Sequence, residues 1–354
     1  MARVLVLHAY SAQNAGDGFL VDATVDLVRE ALGDVDITVV ASRPESFTRD
    51  DVRFVCSQPG RRGYQPQYVR TLRGIGGYDL VVAVGGGYQR AGHLVEALKA
   101  GLVHGPQLVA ASRRGTGVVY LPQSIGPLRG PSAPLVSRLL QRVDAVYVRD
   151  DRSMAEVARA RPRRSPDLAI SVGTYRPRRP ETVVDVPVLS VRNLRGALPE
   201  PVQRLAGELA VFDGYVQSRV GGNDDTSAMT SLRPRRIVDR DELLGGGTPR
   251  RVVVAMRLHG ALMAMQAGHY VVHLAYERKG YGAFADLGLD DYVVGATRLV
   301  PHEVAERTRA LLTDPTVRED YDRCLLARLE TMPSVRAGLV DELRAAAARR
   351  GAAS

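Results

Sequence analysis

The sequence predicts an α/β protein of two doubly wound domains with parallel sheets, followed by C-terminal helices. Three observations predict it. Short apolar runs rich in β-branched residues alternate with helix-period stretches, the pattern of parallel sheets covered on both faces. A Pro- and Arg-rich stretch without apolar period, GTYRPRRPETVVDVP at 173–187, splits that alternation into halves. The 354 residues suffice for two ordinary domains. The expected division is 1–175, 186–300 and a helical segment 301–354.

The elements follow in order. RVLVL (3–7) is a first strand, followed by a Gly-containing loop and a helix over Val21 to Leu32. DITVVA (36–41) is the next strand, and DLVVAVGGG (79–87) is a strand ending in three glycines. GVVYLPQ (117–123) and DAVYVRD (144–150) complete the first half; PVLSVRN (187–193), RRVVVAM (250–256) and YVVHLA (270–275) build the second. The segment between Asn193 and Arg250 is Gly- and Arg-rich and weak in strands. Beyond 301 the pattern is helical to the end.

Composition excludes several classes. There is no apolar run long enough for a membrane span, and MARVLVLHAYS reads as a strand rather than a signal peptide. Cys56 and Cys324 have no CxxC partner, so neither a disulfide framework nor a zinc site is expected; a cytoplasmic location follows as the default. The net charge of +9 comes from 46 Arg and two Lys, Lys99 and Lys279. RPRR occurs at 161–164, 176–179 and 233–236, in Pro-rich linkers with few aromatics nearby. That argues for solvated loops over nucleic-acid binding, and the positive balance suits an anionic small molecule.

Polar residues gather where strands end. VVVAMRLHGALMAMQAG (252–268) reads as a buried strand, a turn at Arg257-Leu258-His259-Gly260, a helix from Ala261, and a stop at Gly268. Helix N-termini favour anions, and an Arg fork suits carboxylate or phosphate. Asn14, Gly16 and Asp17 follow the first strand, where Asp17 is either a helix cap or a functional carboxylate. Gly85-Gly86-Gly87 end another strand, Gln123 and Ser124 a third, and Arg149 and Asp150 a fourth, before a helix that Ser153 helps to start. Ligands of open α/β sheets sit at such strand ends.

These motifs, taken in order, resemble the polysaccharide pyruvyltransferase family: N-x-G-D (14–17), the three glycines, PQSIGP (122–127), RDxxS with PDLA (149–153, 166–169), SVR (190–192), and M-R-L-H-G with Y-x-x-K (256–260, 276–279). The resemblance spans about residues 1–295. It implies two Rossmann-like domains facing across a cleft, glycosyltransferase-B-like, and transfer of a pyruvyl group from phosphoenolpyruvate to sugar hydroxyls, forming a ketal. On that basis the N-terminal domain is the acceptor side and the C-terminal domain the donor side.

The chemistry then distributes the roles. Arg257, with the backbone of Leu258 and Gly260, is expected to hold donor phosphate or carboxylate, and His259 to be the general acid. Asp17 is the expected base or acceptor anchor. Arg149, Arg192 and Lys279 are further donor candidates, and a Lys in so Arg-biased a chain suggests that an ammonium is specifically wanted there. Asn14, Gly16, Gly86, Gly87, Gln123, Ser124 and Tyr276 are candidates for the acceptor or cleft. Neither metal nor cofactor is expected, the partners are the anionic donor and a sugar or glycan, and a homo-oligomer is left open. A nucleotide-sugar glycosyltransferase of the same architecture is the alternative. A catalytically silent carbohydrate- or anion-binding protein is a more distant one.

Overall fold

The computed structural model describes residues 1–92, 94–176, 183–219, 224–245 and 247–352. The chain packs as two units. The first holds Met1–Gln13, Asp17–Val172 and Met332–Ser354; the second holds Asn14–Gly16 and Gly173–Thr331.

The first unit contains strands β1 (Ala2–Ala9), β2 (Val35–Ala41), β3 (Arg53–Cys56), β4 (Leu80–Ala83), β5 (Gln89–Ala91), β6 (Val118–Gln123), β7 (Ile125–Leu128), β8 (Ala145–Val148) and β9 (Arg163–Arg164). Seven of them form one parallel sheet in the order β3-β2-β1-β4-β6-β8-β9, and β5 pairs with β7. Helices α1 (Ala15–Leu32), α2 (Pro66–Arg73), α3 (Leu94–Val103), α4 (Gly105–Arg114), α5 (Ser132–Leu140), α6 (Asp151–Glu156) and α7 (Leu168–Ser171) connect them. Strand order reverses between β1 and β4, so the loops carrying Tyr10 and Gly85–Gly87 leave neighbouring strand ends. The central strands are apolar on both faces because both are covered: Val4 to Leu7 and Leu80 to Ala83 are fully buried.

The second unit contains β10 (Val188–Ser190), β11 (Asp213–Tyr215), β12 (Ile237–Val238), β13 (Val252–Ala255), β14 (Tyr270–Ala275) and β15 (Val293–Gly295). All pair in parallel, in the order β12-β11-β10-β13-β14-β15. Its helices are α8 (Glu200–Leu209), α9 (Thr226–Ser231), α10 (Arg240–Leu244), α11 (Leu258–Gln266), α12 (Arg278–Asp286), α13 (Pro301–Thr313) and α14 (Pro315–Leu329). The reversal here lies between β10 and β13.

The last helix, α15 (Met332–Ala352), returns to the first unit. It packs on β4 and β6, and Arg344 donates to the Ala31 carbonyl at 3.0 Å. The helical segment expected over 301–354 is therefore shared between the units, with α13 and α14 on the second. No helix of the described residues is long and apolar enough to cross a membrane.

Local differences have local causes. Helix α1 starts at Ala15, six residues before the expected Val21, because Asn14 turns the chain and its Oδ1 accepts from the Gly16 N–H at 3.3 Å. Asp17 therefore lies inside the first turn rather than at the cap. The region expected to be weak in strands supplies β11 and β12, of three and two residues. β11 carries Asp213, a fully buried carboxylate that holds Arg235 at 2.9 Å and Arg251 at 2.6 Å. Burial alone would raise its pKa, but those guanidinium groups hold it below the ordinary range. The arginine runs are thus not simply solvated loops. Arg163 and Arg164 form β9 and pair with Glu342 and Asp151, while Arg235 and Arg236 serve Asp213. Of the run at 176–179, only Arg176 lies within the described residues.

Candidate active site

Strands β10 and β13 are neighbours at the reversal point of the second sheet, and each ends in a cation. Arg192 follows β10 and Arg257 follows β13. The Met256 N–H donates to the Ser190 carbonyl at 2.9 Å, which holds the two strand ends together. Ligands of open α/β sheets bind at such a point.

Arg257 is not in a turn ahead of the helix but is its N-cap residue, with extended backbone (φ −84°, ψ 126°). Leu258, His259 and Gly260 form the first turn of α11, three residues earlier than expected. Their N–H groups are the first of the helix, which lack intrahelical acceptors and favour anions. The Arg257 fork grips Asp225, with Nε to Oδ2 at 2.5 Å and Nη2 to Oδ1 at 2.8 Å. Both side chains are buried. Burial pushes the Asp225 carboxyl above the ordinary carboxylate range, and Arg257 opposes that push. One edge of the expected donor fork is therefore already used by a carboxylate that the sequence reading missed.

Arg192 is less buried. Its Nη1 donates to the Tyr276 hydroxyl at 3.0 Å, and its guanidinium lies 5.1 Å from the Tyr276 ring centroid. Tyr276 follows β14, so three strand ends converge here. Lys279 stands in the first turn of α12 and pairs with Glu277 at 2.9 Å. That pairing offsets the unfavourable placing of an ammionium-type charge at a helix N-terminus.

Asn14–Gly16 belong to this unit. Asn14 forms an antiparallel bridge with Ser218, and Gly16 lies against His259. A Cβ on Gly16 would overlap the Cβ, Cγ and Nδ1 of that imidazole. The glycine is required by close approach, and it fixes where the ring can go. Gln217 and Ser218, after β11, complete the surroundings. Both are buried, and the Gln217 amide and the Ser218 hydroxyl have no hydrogen-bond partner among the described residues. A Cβ on Gly260 would stand 3.0 Å from the Gln217 Oε1. Such orphaned buried polar groups mark a place for a polar ligand or ordered water. Gly16→Ala is expected to lower turnover about 10²-fold, the scale of a 1 Å misplacement, with donor affinity changed only a few-fold. Parental kcat in the alanine variant would show that His259 does not depend on this contact.

His273, on β14, was also missed. Its Nδ1 meets the Ala255 carbonyl at 2.8 Å, and burial pushes its pKa down to about 4. A neutral ring whose Nδ1 donates to that carbonyl ties β14 to β13 behind the site.

The candidates of the first unit form a different arrangement. Arg149 is buried, pairs with Asp167 and donates from Nε to Ser124 Oγ at 3.0 Å. Ser124 donates to Asp150 at 2.7 Å, and Asp150 caps α6 by accepting from the Ser153 N–H at 2.9 Å. Asp167 caps α7 through the Ala169 N–H at 2.9 Å. RDxxS, PDLA and Ser124 are thus one buried network locking strand ends to helix starts. Arg149 gives Nε and Nη1 to this network, while its Nη2 is buried with no hydrogen-bond partner among the described residues; within the second unit, Arg192 is the arginine that stands with Arg257. Gln123 is fully buried, with both amide atoms unpartnered among the described residues. The glycine run is shaped by packing: a Cβ on Gly85 would stand 2.7 Å from the Pro122 carbonyl oxygen, the Gly86 carbonyl accepts from Ser124 N at 2.7 Å, and Gly87 lies beside Arg149.

Nearby, His8 takes a left-handed backbone (φ 69°) and stacks on Tyr88, with ring centroids 4.5 Å apart. Its Nδ1 lies 3.2 Å from that of His104 and its Nε2 3.3 Å from the Tyr120 hydroxyl. Burial pushes His104 down to about 4 and His8 well below its ordinary value. Tyr88 and His104 wall a recess of about 530 Å³, whose rim includes Tyr10, Arg90, Glu96 and Lys99. Among the described residues no group of three or more His, Cys, Asp or Glu is placed to hold a metal ion.

Comparison with known proteins adds a family and a fold. The family model for polysaccharide pyruvyl transferase matches residues 14–241. That span includes the candidates from Asn14 to Arg192 and ends before Arg257. Among curated proteins none matches the chain by sequence. Solved structures do. The chain is similar to a trehalose 6-phosphate synthase from Burkholderia multivorans, at TM-score 0.57 and 14% identity over 100% of both chains. It is similar to a UDP-GlcNAc 2-epimerase from Neisseria meningitidis bound to UDP-GlcNAc, at TM-score 0.54 and 9% identity over 96% of this chain and 98% of that one. A UGT transferase from Siraitia grosvenorii in complex with UDP gives TM-score 0.54 and 11% identity over 96% and 99%. At these identities the likeness is one of fold, the glycosyltransferase-B architecture of two doubly wound units with C-terminal helices. With nearly two thirds of its length matched by the family model, the chain belongs to the polysaccharide pyruvyl transferase family.

Proposed function

We propose that this protein transfers a pyruvyl group from phosphoenolpyruvate to hydroxyls of a sugar or glycan. The observation that carries the reading is the pair Arg192 and Arg257 at adjacent central strand ends, beside the N-terminus of α11. The donor has a carboxylate and a phosphate at one carbon, so it needs two cationic groups close together. Arg192 and the first turn of α11 are assigned to its anionic groups. Arg257 contributes the fixed positive end of a pair whose other member is Asp225. Gln217 and Ser218 offer the remaining polar contacts.

The step balances as follows. His259 gives a proton to the methylene carbon, and the oxygen-bearing carbon becomes oxocarbenium-like. A sugar hydroxyl bonds to that carbon, and its proton passes to a base. Asp17 is the base in this reading, as the carboxylate of the N-x-G-D motif in the first turn of α1. Phosphate leaves with the C–O electron pair, and a second hydroxyl closes the ketal. Of the two hydroxyl protons, one replaces that given to the new methyl group and the other ends on phosphate.

Incubation with phosphoenolpyruvate and a panel of glycosides tests the reading through phosphate release and a matching mass gain on the sugar. Nucleotide release from a nucleotide sugar, without phosphate release from phosphoenolpyruvate, would replace it with glycosyl transfer. Arg192→Ala is expected to weaken phosphoenolpyruvate binding about tenfold or more, the value of a hydrogen bond to a charged group. Equal affinity by titration calorimetry would remove Arg192 from the donor site.

A further inference from the structure

We propose that the face of the first unit carrying α3 docks on an anionic membrane surface. Helix α3 is apolar, yet none of its residues is buried. Leu94 is 75% exposed, Leu98 58% and Leu102 53%, and Val95 is 57% exposed beside them. The three leucines recur at four-residue intervals and so share one side of the helix. Four large apolar side chains in one ten-residue helix form a patch rather than scattered exposure.

The charge around this ridge selects the occupant. Between Ser57 and Gly115 the chain has eight Arg or Lys and two acidic residues, so most of the net +9 lies in this segment. Lys99 on the helix and Arg61 and Arg62 on the neighbouring loop are exposed, while the acidic Glu96 pairs with Arg90 at 3.0 Å. The loop bearing Arg61 and Arg62 is held to the ridge, since the Tyr64 hydroxyl donates to the Leu102 carbonyl. An apolar helix side flanked by Lys99 and by the Arg61–Arg62 loop is a surface suited to the boundary of acyl chains and anionic headgroups. A protein partner would take the leucines but does not call for this excess of positive charge. The same helix walls the 530 Å³ recess through Val95, Lys99 and Leu102, so docking would bring that recess to the bilayer. The proposal does not rest on the pyruvyl reading.

Flotation of the full chain tests it, using vesicles of phosphatidylcholine alone and of equal parts phosphatidylcholine and phosphatidylglycerol. The protein should float with the mixed vesicles, weakly or not at all with phosphatidylcholine, and less as salt rises. The double variant Leu94→Ser/Leu98→Ser leaves the charge unchanged. It should lower partitioning about 10²-fold, from the apolar area no longer inserted, with unchanged circular dichroism. Arg61→Ser/Arg62→Ser should weaken binding to the mixed vesicles and flatten its salt dependence, which provides a second measurement if the leucine variant does not fold. Absence of binding to mixed vesicles at low salt overturns the proposal. So does binding unaffected by the leucine changes, or sedimentation velocity showing that those leucines instead pair two copies of the chain.

Discussion

His259→Gln is expected to lower kcat by about 10²- to 10⁴-fold, the range of a general acid's contribution, while the protein stays folded. The imidazole sits in the first turn of α11, between the fixed end of β13 and the backbone of Gly16. Glutamine has similar reach and keeps a hydrogen-bond donor, so donor affinity should change only a few-fold. It cannot deliver a proton to carbon. A general acid must be protonated in the free enzyme, so parental kcat/KM should fall on the alkaline side, and the variant should lose that limb. The pH–rate profiles of both proteins decide the matter, with circular dichroism as a folding control. A folded variant with parental turnover and the same alkaline limb would make His259 an orienting residue, with Asp225 or a bound water as the next candidate acid.

Acid should weaken each unit by about 3 kcal/mol as pH falls from 6.5 toward 4. Burial holds His104 in the first unit and His273 in the second at about 4, against 6.5 for a free imidazole. A folded-state pKa below the unfolded one means that the unfolded chain binds the proton more tightly. The stability is therefore complete above pH 6.5 and is lost as pH falls toward 4. The slope is about 1.4 kcal/mol per pH unit for each histidine, or about 3 kcal/mol in each unit across the window. His8 adds to the loss in the first unit, because burial and the neighbouring His104 both lower its pKa. Urea denaturation at pH 7 and pH 4.5 should show the midpoint dropping sharply, and His104→Gln should flatten the dependence of the first unit's transition. A midpoint constant across that range would mean that these rings are hydrated enough to charge in place.

The parallel sheets were legible because their central strands are buried on both faces and leave unbroken apolar runs, as in Val252 to Ala255. β11 was not, since Asp213 and Gly214 make up two of its three residues, and an aspartate is acceptable there only because Arg235 and Arg251 neutralise it. With that strand hidden, the polar loop after it could not be read as a strand end, and Gln217, Ser218 and Asp225 went with it. Periodicity also misses ring-to-backbone contact, so nothing local announced that Gly16 is shaped by His259. Arg149 shows what spacing hides: its carboxylate partner, Asp167, lies eighteen residues away, and nothing local in the sequence announces the pair. His8 and His273 lay in plain sight within strands, but a lone histidine in an apolar run carries no mark of whether it faces a ligand or a carbonyl.

The return of α15 has a consequence for how the chain comes off the ribosome. The first sheet is complete in sequence by Arg164, yet the helix that covers β4 and β6 follows only after the whole second unit. At ribosomal speeds that interval is roughly 10 to 30 seconds. Throughout it, one side of the nascent sheet displays valines and alanines that the finished protein hides, while the second unit, apart from Asn14–Gly16, has all its segments in one stretch. The later unit can thus close first, and the earlier one is sealed last, by a helix that arrives from the far end of the chain.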